Sequence, residues 1–153
     1  MHFSSTLLAV ADIDLSVRFY TNALGLSVVS DFGSNVTLTG GVCLQTVESW
    51  KKLTGISDVV PGGCDCELYF ETEDFDGFIA RLDIISSIRF VHRPKEHEWG
   101  QRVVRFFDPD MHIIEVGENI AFVCRRFISD GMTAEQVAKR MDVPLSFVIS
   151  CLK

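Results

Sequence analysis

The chain predicts an α+β fold: two βαβββ modules followed by a C-terminal helical extension. Three observations lead to it. Leu8–Asp14 is an apolar strand running into an acidic helix start, and Leu68–Asp76 does the same, so that Asp12 maps onto Asp74 at an offset of 62. Gly41–Glu48 then maps onto Met111–Glu118 at an offset of 70, the difference being a longer loop between the middle strands of the second copy. Residues 119–153 lie outside the repeat and carry helical signals only. Each copy is too short to bury a core alone, so the two are expected to pack together with a cleft between them.

In the first copy, residues 5–11 read as a strand. Asp12 or Asp14 caps the following helix, whose inward stripe is predicted as Val17, Tyr20 and Leu24 and whose end is Gly25. Residues 26–31 make a strand, Phe32-Gly33-Ser34-Asn35 a turn, and Val36–Thr39 with Val42–Val47 a hairpin across Gly40-Gly41. Trp50–Pro61 reads as a polar connector. The second copy starts near Glu67. Its helix shows Phe75, Phe78, Ile79 and Leu82 at core-facing spacing. Ile88–His92 is a strand and Arg93–Gly100 a polar loop; Gln101–Phe107 and His112–Val116 pair across Asp108-Pro109-Asp110-Met111. The extension holds a helix over 120–128, a capping box from Thr133 to Gln136, and a last helix opened by Pro144. The expected domains are 1–118, with modules at about 3–48 and 64–118, and a tail at 119–153.

The net charge is −7 and the hydrophobic fraction 47%, which fits a packed chain and argues against disorder. Residues 1–118 carry 9 basic against 18 acidic side chains, and residues 119–153 carry 5 against 3. An acidic body repels nucleic acid and anionic membrane, so neither is the expected partner. No apolar run is long enough to span a bilayer, and the N-terminus lacks the basic-then-apolar pattern of a signal peptide. Five cysteines without paired metal spacing predict a reduced, cytoplasmic protein, with Cys43, Cys124 and Cys151 as buried thiols.

Alternation along strands is expected to bring Ser5 and Glu67, and Gln45 and Glu115, into the shared cleft as two pseudo-symmetric pairs. The pieces Val10-Ala11-Asp12, Ser16–Tyr20, Leu24-Gly25-Leu26 and Phe107–Glu115 resemble the glyoxalase, bleomycin-resistance and extradiol-dioxygenase superfamily, also called vicinal oxygen chelate. The likeness covers residues 3–118. It implies paired βαβββ modules forming a cupped mixed sheet around a divalent metal, with ligands at the positions of Ser5, Gln45, Glu67 and Glu115. Where the family commonly has histidine, this chain has Ser5 and Glu67; Gln45 is a variation known at its position, and Glu115 is kept.

The candidate metal ligands are therefore Gln45, Glu67 and Glu115, an oxygen set that suits Mg²⁺ or Mn²⁺ better than Zn²⁺. The competing reading is a pair of pocket carboxylates held by an arginine or by substrate, with no cofactor at all. Arg102 is the candidate arginine: if Phe107 lies opposite His112, Val104 faces Glu115 and Arg102 shares that face, to clamp an anionic substrate or neutralise Glu115. Ser5 and Trp99 are further candidate substrate contacts, Trp99 either lining a ligand mouth or anchoring its loop. His112 should point away from Glu115, while His92 and His97 stand near the loop as candidate proton shuttles.

Met132–Val148 has a helix-turn-helix pattern with Ala138 packed and Val143 in the turn. Its second helix offers Leu145, Phe147, Val148, Ile149 and Leu152, with Lys153 as the sole cation, so it reads as a packing or partner-binding element and not a DNA reader. Three function classes follow. The first is a metal-assisted lyase or isomerase in which Glu115 or Glu67 moves a proton. The second is a metal-free binder of a small molecule, an antibiotic or metabolite. The third is a ligand-responsive interaction protein using the tail. A small-molecule ligand and a homodimer are the expected partners.

Overall fold

The computed structural model describes residues 1–153. Strand β1 (Thr6–Val10) runs into helix α1 (Ile13–Leu24), where Asp12 accepts the Leu15 N–H and Gly25 closes the last turn at φ 69°. Strands β2 (Val28–Asp31), β3 (Asn35–Leu38) and β4 (Val42–Thr46) follow, and β4 returns to lie parallel to β1. The second copy repeats this path with β5 (Glu67–Thr72), α3 (Phe75–Ile84), β6 (Arg89–Glu96), β7 (Arg102–Phe107) and β8 (Ile113–Glu118). The sheets have the equivalent orders β1-β4-β3-β2 and β5-β8-β7-β6, so the repeat is a repeat of topology.

Contacts divide the chain into two units. One holds residues 1–66 with 107–112; the other holds 67–106 with 113–153. In the first, one sheet face buries Leu8, Val10, Val36, Leu38 and Leu44, and α1 buries Ser16, Tyr20 and Ala23. The predicted stripe of Val17, Tyr20 and Leu24 is thus rotated, since Val17 and Leu24 are only half-buried. The cause is polar. Tyr20 Oη donates to Asp108 Oδ2 at 2.9 Å and Ser16 Oγ to Asp110 Oδ2 at 3.2 Å, which turns the serine inward. Burial, reinforced by the Asp108 charge, pushes the Tyr20 phenol far up.

A helix also stands where a connector was expected. α2 (Val47–Thr54) is capped by Thr46, which accepts from Ser49 N, and closed by Gly55 at φ 75°. It buries no residue fully, its apolar Val47 and Trp50 being only half-buried, and its two caps are its clearest marks.

In the second unit, Phe75, Phe78 and Leu82 are buried as the spacing predicts, over Val104, Phe106, Ile114 and Val116. β6 runs to Glu96, well into the predicted loop. It is an edge strand, which tolerates Pro94 and a charged sequence. The tail folds as α4 (Ile120–Ser129), α5 (Ala134–Met141) and α6 (Leu145–Cys151) around Val123, Cys124, Phe127, Val137, Met141 and Val148. The capping box of Thr133 and Gln136 is present, and Ala138 and Val143 pack on this core. The tail belongs to the unit of the second module. All five cysteines are free; Cys43 and Cys124 are buried, but Cys151 is only partly so.

Candidate functional site: a polar sheet face around Arg105

The hairpin joining β7 to β8 sets the site. Asp108 N–H donates to His112 O, and the Asp108 carboxylate accepts from the backbone N–H of Asp110 and of His112. Met111 sits at φ 72°. This is a three-residue loop whose last member is left-handed, which aligns Asp108 with His112. The expected register, with Phe107 opposite His112, is therefore wrong by one residue. Because side chains alternate with period two, that slip moves every side chain of β7 to the other face.

Arg105, not Arg102, consequently meets Glu115. Its guanidinium is committed on every edge. Nε donates to Glu67 Oε2 at 2.8 Å and Nη2 to Glu67 Oε1 at 3.4 Å, while Nη2 also ion-pairs with Glu115 Oε2. Nη1 donates to His92 Nε2 at 3.3 Å. Arginine cannot accept, so His92 carries its proton on Nδ1, which donates to Arg93 O at 2.9 Å. Glu115 is 6% exposed, whereas Glu67 reaches solvent. Hence Arg105 is a built-in cation shared by the two predicted carboxylates.

Arg102 lies on the opposite face, over the Phe75 ring at 5.0 Å. It donates to Glu118 at 2.7 and 2.9 Å and to Asp76 at 2.8 Å. Glu118 is 7% exposed and also meets Arg126 at 3.2 Å. Burial works to raise the Glu118 carboxyl, but the hydrogen bonds and charge of Arg102 outweigh it and hold the group below its ordinary range.

The face bearing Arg105 continues through polar side chains that the sequence reading missed. Gln101 Nε2 donates to Tyr69 Oη at 2.8 Å, and Tyr69 Oη donates to Glu71 at 2.9 Å. The bridge crosses β8 at Gly117, where a Cβ would stand 2.8 Å from Gln101 Nε2 and 3.2 Å from Tyr69 Oη. Glycine is what lets these two side chains meet. Trp99 joins the row, its indole N–H donating to Gln101 Oε1 at 3.2 Å and its ring stacking on His97 at 4.2 Å. Burial, then the charges of Arg105, His92 and Lys95, lower the His97 imidazole.

The remaining predicted residues belong to the first unit. Gln45 is 5% exposed and gives its amide N–H to Ser49 Oγ at 2.8 Å. Ser5 is half-buried just ahead of β1, its backbone beside Gly41. The two modules also differ in parallel register: Ala9 faces Gln45, whereas Tyr69 faces Glu115. Aligned on the capping aspartates, Tyr69 corresponds to Leu7, which faces Cys43. The shift is two residues, so faces are kept while positions along the strands are not. His112 is held by Asp108 Oδ2 at 2.8 Å and is not a free surface group.

The paired βαβββ topology agrees with a family comparison, in which the model of the glyoxalase-like domain matches residues 3–121. The chain belongs to this family. Among solved structures, this glyoxalase-like protein is similar to a protein of unknown function from Agrobacterium tumefaciens str. C58. The two are 35% identical with TM-score 0.71, the match covering 78% of this chain and 94% of the other. A glyoxalase-related enzyme from Fulvimarina pelagi shares the fold at 18% identity and TM-score 0.69, over 78% of this chain and 89% of its own. So does a lactoylglutathione lyase from Agrobacterium tumefaciens, at 22% identity and TM-score 0.62, over 78% and 94%. No curated protein matches. No helix is long and apolar enough to cross a membrane. Helices α5 and α6 lie beyond the matched family region.

The donor set does not fit a divalent ion as the family would hold it. Glu67 and Glu115 both direct oxygens at a guanidinium, and no trio of His, Cys, Asp or Glu gathers closely enough to hold a metal. A cation placed between the two glutamates would have to displace Arg105.

Proposed function

We propose that this glyoxalase-like protein is a metal-independent small-molecule binder, using the polar face of the β5-β8-β7-β6 sheet. One observation carries the reading: Arg105 already supplies the positive charge that Glu67 and Glu115 would otherwise seek from a metal ion. The face offers fixed donors and acceptors, from His92 through Arg105 and Glu67 to Tyr69 and Trp99, and Tyr69 and Trp99 are substantially exposed. Such a row suits a small polar ligand carrying complementary donors and acceptors. The lyase or isomerase alternative asks Glu115 or Glu67 to move a proton, and either would first have to leave Arg105.

Thermal unfolding of tag-free protein with Mg²⁺, Mn²⁺, Ni²⁺ and Zn²⁺ at neutral pH, with elemental analysis alongside, tests this. The expected result is no ion that raises the wild-type midpoint beyond its effect on Glu115→Gln. A wild-type-specific rise, matched by one equivalent of the same metal in the purified protein, overturns the reading and restores the metal-assisted enzyme.

A further inference from the structure

The tail does more than cover the second module. Between the loop that follows β6 and the end of α5 lies a cavity of about 510 Å³, within the range of roughly 300–1,000 Å³ typical of small-molecule sites. Glu98 and Trp99 form one wall, and Met141, Asp142 and Val143 the other. Ile120 and Arg140 complete the lining. The second wall lies outside the matched family region, so this site is an addition of the chain itself.

Both walls are held in place. Gly100 sits at φ 90° with the Phe127 ring against its α-carbon, and Arg126 Nη2 donates to Gly100 O at 2.6 Å. Trp99 is fixed by its bond to Gln101 and its stack on His97, at an interplanar angle of 16°. Opposite, Asp142 ends α5 in the left-handed region at φ 53°, with its N–H on Ala138 O. Met141 is anchored in the tail core at 4% exposure.

The charges are unequal in their commitments. Arg140 is drawn toward Glu96 at 3.4 Å and over the Phe127 ring at 5.1 Å. Glu98 and Asp142 are exposed, and neither carboxylate has a hydrogen-bond or ion-pair partner. A ligand in the cavity therefore meets an indole, two uncommitted carboxylates, one guanidinium turned toward Glu96, and an apolar lining. That combination recognises positive charge, through cation–π attraction and charge-assisted hydrogen bonds. We propose that the cavity between the Trp99 loop and the tail is a second ligand site, for a small organic cation with an apolar body.

The full chain has two tryptophans, so Trp50→Phe leaves Trp99 as the single indole reporter. Titrations of this variant use phenethylamine and benzyltrimethylammonium as probes, and 3-phenylpropionate as the anion of matched shape. The expected result is saturable quenching by both cations, with dissociation constants on the order of 1 mM or tighter. The anion should give none. Adding Glu98→Gln and Asp142→Asn should weaken the cations roughly tenfold, because both lining carboxylates are gone. Both side chains are exposed and asparagine accepts the left-handed region, so the fold should survive, and circular dichroism verifies this. Absence of saturation by either cation, equal or tighter binding of 3-phenylpropionate, or unchanged affinity in the neutralised variant each overturns the proposal. Trp99 also joins the sheet-face row, so the response of the Glu98→Gln/Asp142→Asn variant, and not the indole signal alone, assigns binding to this cavity.

Discussion

Met111 stands where Gly41 stands, third in a three-residue hairpin loop, at φ 72° against 78°. One loop joins β3 to β4 and the other β7 to β8, and each fixes the pairing of its strands. Replacing Met111 with glycine should cost little, because relief of the left-handed strain offsets lost packing. Met111→Val should cost about 1–2 kcal/mol, since a branched side chain is strongly disfavoured there. Denaturant unfolding of the pair checks this, and equal stabilities would show that the loop conformation carries no strain.

Arg105 should matter to stability out of proportion to a surface arginine. Arg105→Met leaves Glu115 enclosed without its counter-charge, at a cost of about 2–3 kcal/mol; part of the site still reaches water, which keeps the figure below that of a sealed pair. Adding Glu115→Gln should recover much of the loss. The same Arg105→Met protein should gain stability with Mn²⁺, as the carboxylates seek another cation. A double-mutant cycle with no coupling would remove the ion pair from the account.

Gly100 and Phe127 compete for one space, as a Cβ at residue 100 would overlap the ring. Gly100→Ala combines a φ of 90° with that overlap, and is expected to destabilise by at least about 2 kcal/mol. Trimming the ring with Phe127→Leu should restore only part of it, because the backbone strain remains. Thermal scans of both variants suffice; full restoration would mean that the overlap alone was at fault.

His112 makes stability depend on pH. Burial works to lower its imidazole, but the hydrogen bond and charge of Asp108, aided by Asp110, win and raise it. A raised folded pKa means the protonated form favours the folded state. That contribution is complete below the unfolded value of about 6.5, and is lost as pH rises through the folded one. The wild-type midpoint should therefore fall on moving upward from that value, and His112→Gln should flatten the slope. Identical slopes would rule out this linkage.

Much of the fold was legible because it rests on local chemistry. Asp12 and Asp74 cap helices, Gly25 ends one, and Thr133 with Gln136 opens another. That the two sheets share one strand order followed from the repeat. What escaped was decided by tertiary pairing. Ser16 turns inward only because Asp110 awaits it, and α2 leaves its few apolar side chains half-buried or exposed. The site was lost by a single residue of register, which exchanged Arg102 for Arg105. The first hairpin slips in the same way: Leu38 pairs with Val42 across three residues, where Gly40-Gly41 alone was expected as the turn, and Met111 aligns with Gly41.

The Asp108–His112 hairpin also bears on how the chain can be divided. Residues 107–112 follow the second module's helix in sequence, yet they complete the first unit. Asp108 holds Tyr20, and Asp110 holds Ser16 and the Ala11 N–H at 2.8 Å. A fragment ending at residue 66 would lack both aspartates and leave a buried phenol, a buried hydroxyl and a strand-end amide without acceptors. The backbone crosses from one unit to the other three times, so no single cut releases either half whole. Although the modules repeat, a gene encoding half of this protein would not encode half of its structure.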